Sequence, residues 1–220
     1  MRKIITKIIH PFLRVFVKYY FAKPRKYNYK NIRGIVNPNV FHPQFTISTK
    51  ILLNYLDKEN LKNKQLLELG CGTGIISTFS AHKGAKVLAS DINQLALDNT
   101  ELNAKKNNVE IEIINSNLFQ EIPKKFFDYI IINPPYYPKT PQNDAEKAWY
   151  CGSEFEYFKD LFSTIYPYFN DTSKVIMILS EDCKIETIKE IASANKIELT
   201  QIFETKKWGE KNYLFQLKSI

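Results

Sequence analysis

Short apolar runs alternate with longer amphipathic segments along the chain from about residue 48 onward. Short apolar runs predict strands buried on both faces, and apolar residues spaced by three or four predict helices. The predicted strands cover residues 64–69, 86–90, 109–114, 127–132, 174–179, 197–203 and 212–217, and the predicted helices cover residues 48–57, 75–83, 93–107, 154–169 and 184–195. Repeated units of this kind indicate a Rossmann-like α/β fold, with a mostly parallel seven-stranded sheet and helices on both faces.

The N-terminal arm has a different pattern, in which apolar pairs recur every four residues between basic residues. This pattern predicts an amphipathic helix with a cationic face, bent at Pro11. Lys7, Arg14 and Lys18 interrupt the apolar stripe too often for a transmembrane span, and no small-residue cleavage site marks a signal peptide. The arm either contacts an anionic membrane surface, RNA or a ribosomal partner, or packs on the protein's own body.

Proline, glycine and asparagine punctuate residues 24–43, which predicts a linker with short extended pieces. We therefore predict an arm and linker over residues 1–40 and a single catalytic domain over residues 41–220. A chain of 220 residues is long enough for one substantial core and too short for two ordinary domains.

The excess positive charge is confined to the arm. Residues 1–33 contain ten lysines or arginines and no acidic residue, whereas the rest of the chain holds 21 basic and 23 acidic side chains. The body is therefore close to neutral, which argues against an extended phosphate-binding surface. The three cysteines, Cys71, Cys151 and Cys183, are widely spaced and suggest neither a disulfide framework nor a zinc site. This usage fits a reducing compartment, so we expect a cytoplasmic protein, peripherally membrane-associated if its arm contacts lipid.

Ligands of parallel α/β sheets bind beyond the carboxyl ends of the strands, so the residues after each strand are the candidate site residues. The first strand ends in ELGCGTG, from Glu68 to Gly74. Alternating glycines let the backbone turn sharply and approach a ligand closely. Their spacing is not the one that places a pyrophosphate on a helix N-terminus, which favours a nucleotide-like ligand without phosphates. A tight turn that binds nothing is the simpler alternative.

The next two strands end in polar residues. Asp91, followed by Ile92, lies 23 residues beyond Glu68, where a carboxylate can accept hydrogen bonds from both hydroxyls of a ribose. Its alternative role is to cap the following helix. Asn117 follows the third strand and could read an adenine edge beside Leu118, or form an ordinary Asx turn.

The fourth strand ends in DYIIINPPY, which places Asn133, Pro134, Pro135 and Tyr136 at the same edge of the sheet. An amide or aromatic amine is a poor nucleophile because its nitrogen lone pair is delocalised. The Asn133 side-chain oxygen and the Pro134 carbonyl could hold the two N–H bonds of such a nitrogen and turn its lone pair out of conjugation. Fixed acceptors also stabilise the charge that develops on the nitrogen. Tyr136 could stack on the planar group, and the alternative is a rigid proline loop with no chemistry.

ELGCGTG, SDIN and NPPY, in that order and spacing, resemble the class I S-adenosylmethionine-dependent methyltransferases, and within them the release-factor glutamine methyltransferase family. The resemblance covers roughly residue 40 to the C-terminus and implies S-adenosylmethionine (AdoMet) as cofactor. It implies that Asn133 and Pro134 hold a glutamine amide, and that the glycine turn and Asp91 bind the cofactor. Together with the reading of the strand ends, the predicted cofactor-binding residues are Thr49, Glu68, Gly70, Cys71, Gly72, Gly74, Asp91, Ile92, Asn117, Leu118 and Asn133, and the predicted catalytic residues are Asn133, Pro134, Pro135 and Tyr136.

The chain departs from that family at three places. The family usually has aspartate where this chain has Asn117, and it has a Gly-Gly pair where this chain has Cys151-Gly152. A short basic arm also stands in place of a helical substrate-recognition domain. Cofactor and chemistry therefore transfer more directly than the substrate.

The leading hypothesis is a methyltransferase acting on a glutamine amide of a translation protein, such as a release factor or ribosomal protein. The first alternative is methylation of an exocyclic amine of adenine or guanine in RNA or DNA, aided by a basic stripe of Lys139, Lys206, Lys207 and Lys211. The second is a scaffold that binds the cofactor without turnover and docks by its arm.

Overall fold

The computed structural model describes residues 22–43, 47–143, 146–207 and 209–220. Its strands and helices are, in chain order, β1 (Arg25–Tyr29), β2 (Ile32–Val36), α1 (Ser48–Lys58), β3 (Gln65–Leu69), α2 (Ile75–His82), β4 (Lys86–Asp91), α3 (Gln94–Lys106), β5 (Glu112–Asn115), β6 (Tyr129–Ile132), α4 (Glu156–Thr164), β7 (Lys174–Ser180), α5 (Ile185–Ala194), β8 (Ile197–Lys207) and β9 (Glu210–Ser219). Short 3₁₀ turns lie at Glu146–Ala148 and Tyr166–Tyr168.

The main sheet has seven strands in the order β5-β4-β3-β6-β7-β9-β8. Its first five strands run parallel, and β9 pairs antiparallel with both β7 and β8. The predicted mostly parallel α/β fold is therefore confirmed. Because β3, β4, β5 and β6 run in one direction, their carboxyl ends meet at one edge of the sheet, where the candidate residues follow them.

Both faces of the sheet are covered. Leu67 of β3 packs in a core with residues of α4 and α5, while its neighbour Leu66 packs in a second core with residues of α1 and α2. Successive strand side chains point to opposite faces, so a continuously apolar strand serves both cores. Each fully buried leucine or isoleucine contributes about 1.5–3 kcal/mol relative to an exposed one.

The short extended pieces predicted within residues 24–43 are β1 and β2, which form an antiparallel hairpin that packs on the body. Ile32 is fully buried in the core beside α2. Asn103 on α3 accepts a hydrogen bond from the backbone N–H of Ile35 at 2.8 Å and donates to its carbonyl at 2.8 Å. Asn107, one turn away, accepts from the Arg33 N–H and donates to its carbonyl in the same way. Asn99, one turn away on the other side, accepts from the Asn37 N–H and donates to the Ile35 carbonyl. The domain boundary at residue 41 stays a prediction.

Two predicted boundaries differ from the structure for local reasons. The helix predicted over residues 154–169 ends at Thr164 and is followed by a 3₁₀ turn that contains Pro167. Proline cannot donate to a helix interior, so the apolar pattern continues while the α-helix does not. The last two strands are longer than predicted because they pair with each other in a hairpin that turns at Gly209.

The amphipathic helix predicted for the arm falls mainly on residues 1–21, outside the described residues. Within the part of the chain that the structure describes, no helix is long and apolar enough to cross a membrane.

Candidate active site

A cleft of about 470 Å³ opens at the carboxyl edge of the sheet. Thirteen of the fourteen predicted site residues line it: Thr49, Glu68, Gly70, Cys71, Gly72, Asp91, Ile92, Asn117, Leu118, Asn133, Pro134, Pro135 and Tyr136. Gly74 is not among the lining residues. The fold thus brings nearly all of the candidates to one place, while their individual roles stay predictions.

The first and last glycines of the turn have different surroundings, one open to the cleft and the other packed against a side chain. Gly70 has φ +76°, and a Cβ placed on it meets nothing within 4 Å, so it faces open space. Gly74 has φ +67°, and a Cβ there would lie 2.5 Å from the Thr100 side chain. Gly74 therefore allows α2 and α3 to pack closely, whereas Gly70 leaves room beside the strand for a ligand.

Asp91 is held by the turn that it faces. Its Oδ2 accepts from the Gly72 N–H at 2.9 Å, and its Oδ1 accepts from the Asn93 N–H at 2.9 Å. The residue that caps α3 is Asn93, whose side chain accepts from the Leu95 N–H at 3.0 Å. The alternative role of Asp91 as the helix cap is therefore not what the structure shows. Burial raises the pKa of Asp91, and its backbone hydrogen bonds oppose that shift.

Glu68 joins β3 to the start of α2. Its carboxylate accepts from the Ser77 N–H at 2.7 Å and from the Ser77 hydroxyl. Burial raises the pKa of Glu68 to about 8, and the two hydrogen bonds from Ser77 oppose the shift. A carboxyl group with that pKa is mostly protonated at neutral pH, which avoids a second buried negative charge beside Asp91.

The Asn133 side chain lies in the cleft without a hydrogen-bond partner among the described residues. It follows directly after β6, whose four residues are all buried. Pro134 and Pro135, which come next, have no N–H to compete for its oxygen. The amide is therefore presented to the cleft with its hydrogen-bonding capacity unused.

Tyr136 is partly buried beside this amide, and its ring lies 4.7 Å from that of Tyr137, at 55°. Burial raises the pKa of the Tyr136 hydroxyl, while a hydrogen bond with Ser180 opposes the shift. The ring is thus fixed at the boundary between the large cleft and a smaller pocket.

Two aromatic residues meet at the roof of the cleft. The ring of Phe41, from the segment before α1, lies 5.0 Å from the ring of Trp149. Trp149 belongs to a loop tied back on the tyrosine after the motif, because the Tyr137 N–H donates to the Trp149 carbonyl at 3.1 Å. Nothing in the sequence identified Phe41 as a residue of the cleft.

The wall formed by α4 was also missed. Tyr157 and Asp160 line the cleft from this helix. Burial raises the pKa of Tyr157, and the charge of Asp91 raises it further, so the tyrosine lies within electrostatic reach of that carboxylate. The amphipathic pattern of a helix does not indicate which residues between its apolar and polar faces will contact a ligand.

A smaller pocket of about 150 Å³ adjoins the cleft and shares Asn133 and Tyr136 with it. Asn212 of β9 lines this pocket, is only 3% exposed, and has an Nδ2 without a hydrogen-bond partner in the described structure. The sequence signal was a polar residue in phase with the buried Leu214 of the same strand.

The basic stripe predicted around the crevice is only partly present. The Lys139 ammonium lies 4.4 Å from the centre of the Tyr150 ring, and Lys207 lines the smaller pocket. Lys211 instead pairs with Glu204 at 3.0 Å, which neutralises it.

Residues 32–149 match the family model described as the methyltransferase small domain. A protein of Methanocaldococcus jannaschii, provisionally named a protein N5-glutamine methyltransferase, is 40% identical over 133 residues, which are 59% of this chain and 64% of the relative. A ribosomal RNA small subunit methyltransferase C of Buchnera aphidicola is 34% identical over 132 residues, 59% of this chain and 40% of the relative. The chain thus spans less than two thirds of the length of either relative.

The fold is also that of a solved 16S rRNA N2 methyltransferase of T. thermophilus in complex with AdoMet and guanosine. The TM-score is 0.63 at 15% identity, over 88% of this chain and 50% of the other.

Proposed function

Since the chain belongs to the methyltransferase small domain family, we propose that it transfers a methyl group from S-adenosylmethionine to a glutamine side-chain amide of a translation protein. The observation that carries this proposal is the unpaired Asn133 amide, which lies in one cleft with the glycine turn and Asp91.

The cleft fits the cofactor in size and in chemistry. Its volume of about 470 Å³ lies in the range of small-molecule sites. The open space beside Gly70 gives the ligand access to the backbone, and Asp91 offers carboxylate oxygens to ribose hydroxyls. Besides the protonated Glu68, the described lining residues include three carboxylates, Asp91, Glu156 and Asp160, and one lysine, a balance that suits a cationic ligand better than a phosphate.

S-adenosylmethionine, when bound, supplies an electrophilic methyl group on a positively charged sulfur. The chain's own contribution is to orient the nitrogen that accepts this group and that loses one of its two protons to solvent once the N–CH₃ bond has formed. The Asn133 Oδ1 and the Pro134 carbonyl oxygen accept the two N–H bonds of the substrate amide, which holds the nitrogen lone pair out of conjugation. Because both acceptors are fixed before the reaction, they stabilise charge developing on the nitrogen with little reorganisation.

The aromatic residues exclude water and hold the planar group. Tyr136 lies where the substrate amide would stack, and Phe41 and Trp149 close the roof above the cofactor region. Exclusion of water strengthens the hydrogen bonds that orient the amide, because the effective dielectric falls.

A protein substrate is favoured by the archaeal relative and by the near-neutral charge of residues 34–220. A second candidate is the exocyclic amine of a base in RNA, favoured by the bacterial ribosomal RNA relative. Because the basic stripe is only partly present, an RNA substrate would find few lysines to bind its phosphates. Contact with a membrane through the arm, and a cytoplasmic location, stay predictions.

The test is to incubate the purified protein with methyl-labelled S-adenosylmethionine and a cell extract, and to divide the product between protease and nuclease. Asn133→Ala is the test variant. Asn115→Ala is the matched control, because this exposed asparagine ends β5 but does not line the cleft. We expect label that protease releases, that mass spectrometry places on a glutamine, and that Asn133→Ala loses.

Nuclease-sensitive label would instead support the RNA candidate. Absence of any label, with the cofactor bound in a calorimetric titration, would support the scaffold alternative and overturn the proposed activity.

A further inference from the structure

The smaller pocket beside Asn133 has the size and position of a binding site for the methyl-accepting group. It is bounded by Asn133 and Tyr136 on one side and by Asn212 on another. Its volume of about 150 Å³ matches an engineered protein cavity that takes one benzene molecule. A glutamine carboxamide with its methylenes is of that size, whereas a purine with its ribose is larger.

Asn212 reaches this pocket because of the sheet topology. It is the third residue of β9, and it pairs with Ser180 at the carboxyl end of β7. Since β7 is the neighbour of β6, the start of β9 lies at the same edge of the sheet as Asn133. An asparagine near the C-terminus is thereby brought next to the motif that the fourth parallel strand presents.

The side chain of Asn212 is left in an unusual state. It is 3% exposed, and its Nδ2 has no hydrogen-bond partner among the described residues. A buried amide without a partner is rare in native proteins, because desolvation of a donor is unfavourable unless a hydrogen bond replaces water. The Ser180 hydroxyl nearby has other partners, since it accepts from the Asp182 N–H at 3.2 Å and also hydrogen-bonds Tyr136.

On the basis of the proposed function, we propose that Asn212 determines specificity for an amide by donating a hydrogen bond from its Nδ2 to the carbonyl oxygen of the substrate glutamine. Asn133 and Pro134 take the N–H bonds at the other end of the same group. The substrate nitrogen then donates its hydrogen bonds to acceptors, and the substrate carbonyl oxygen accepts one from a donor. Glutamate offers no N–H to Asn133, and an amine offers no oxygen to Asn212, so each is rejected at one end.

This role makes a prediction that a structural role does not. Leucine has nearly the shape of asparagine and removes the unpaired donor, so Asn212→Leu should leave the protein as stable or more stable. The same change should weaken binding of the substrate glutamine. The function of Asn212 would then come at the expense of stability, as is common for polar groups in active sites.

The experiment titrates the protein fraction of a nuclease-treated cell extract as the substrate, with methyl-labelled S-adenosylmethionine, and follows methylated glutamine by mass spectrometry. Asn212→Leu is compared with wild type and with Gln216→Leu, a change on the same strand at a residue that lines neither pocket. Asn212→Ala serves as a second variant, since it removes the amide without adding apolar bulk. We expect the rate at limiting substrate to fall about tenfold in both Asn212 variants, the loss of one hydrogen bond.

The cofactor dissociation constant and the melting temperature separate the outcomes. The inference holds if Asn212→Leu keeps both while losing activity that Gln216→Leu retains. It is overturned if the variants methylate glutamine as wild type does, or if activity is lost only together with melting temperature or cofactor affinity. If wild type labels no glutamine at all, the proposed function fails first, and this inference with it.

Discussion

The backbone N–H of Gly72 donates a hydrogen bond to the Asp91 carboxylate over 2.9 Å, which ties the glycine turn after β3 to the end of β4. Asp91 therefore shapes the turn as well as facing the cleft. For Asp91→Asn we expect the dissociation constant for S-adenosylmethionine to rise at least tenfold, since an amide loses the charge and turns one N–H toward a backbone donor. Isothermal titration calorimetry measures this change. Unchanged affinity would remove Asp91 from the cofactor site.

Substitution of the two glycines at the ends of the turn should affect cofactor binding and stability to different extents. Both Gly70 and Gly74 have positive φ, so alanine should cost each of them about 1–2 kcal/mol of backbone strain. Gly74→Ala should lose more stability, because its Cβ also meets Thr100 at 2.5 Å. Gly70→Ala should be the milder change in thermal unfolding and yet the stronger change in cofactor binding, because its Cβ enters the cleft. Equal effects on both measurements would contradict this division.

The parallel sheet and most of its helices could be predicted because each element is long enough to show its own period. Polar residues at the strand ends could be predicted as site residues because parallel topology gathers those ends. Asn212 could not, since its place depends on β9 inserting between β7 and β8, and no local pattern encodes that pairing. The same reason applies to Phe41, whose contact with Trp149 and position beside Gly72 join segments that are far apart in the sequence.

The packing of the β1–β2 hairpin on the body could not be predicted, because the residues that hold it lie elsewhere in the sequence. Asn99, Asn103 and Asn107 recur every four residues along α3 and its C-cap, and this polar stripe resembles a solvated face. In the structure these three side chains take the place of a neighbouring strand along the edge of β2. Each amide oxygen accepts a hydrogen bond from a backbone N–H of residues 33–37. Side-chain amides can satisfy a strand edge as a neighbouring strand would.

This arrangement predicts a graded effect of removing the amides. Asn103 is fully buried, and it also donates to the Thr73 carbonyl in the glycine turn at 2.8 Å. Asn103→Ala should therefore destabilise the protein by about 1–3 kcal/mol through unpaired backbone groups, and should speed hydrogen exchange of the Ile35 amide. Asn107→Ala, at the exposed end of the stripe, is the control, because water can replace its bond to Arg33. Denaturant unfolding with exchange measurements tests this, and equal losses in both variants would argue against a buried anchor.

The pH dependence of stability should report the raised pKa of Glu68. This pKa is about 8 in the folded protein against an ordinary value of 4.5, so between these values the folded state holds a proton that the unfolded state has released. Glu68 therefore stabilises the fold fully below pH 4.5, and its contribution is lost as pH rises through 8. We expect Glu68→Gln, which cannot titrate, to flatten the fall in melting temperature between pH 5 and 8.

A difference between the two proteins is the proper measurement, because burial lowers the pKa of His42 and gives the opposite slope in part of this range. That slope is common to wild type and Glu68→Gln, and it cancels on subtraction. Asp57, Glu59 and Asp128 have lowered pKa values, so their contributions are lost only in more acidic solution and leave this window unaffected. A wild-type curve parallel to that of the variant from pH 5 to 8 would mean that Glu68 is ionised in the folded protein. Two buried carboxylates would then face the cleft, and the site would attract a cationic ligand more strongly than the neutral Glu68 allows.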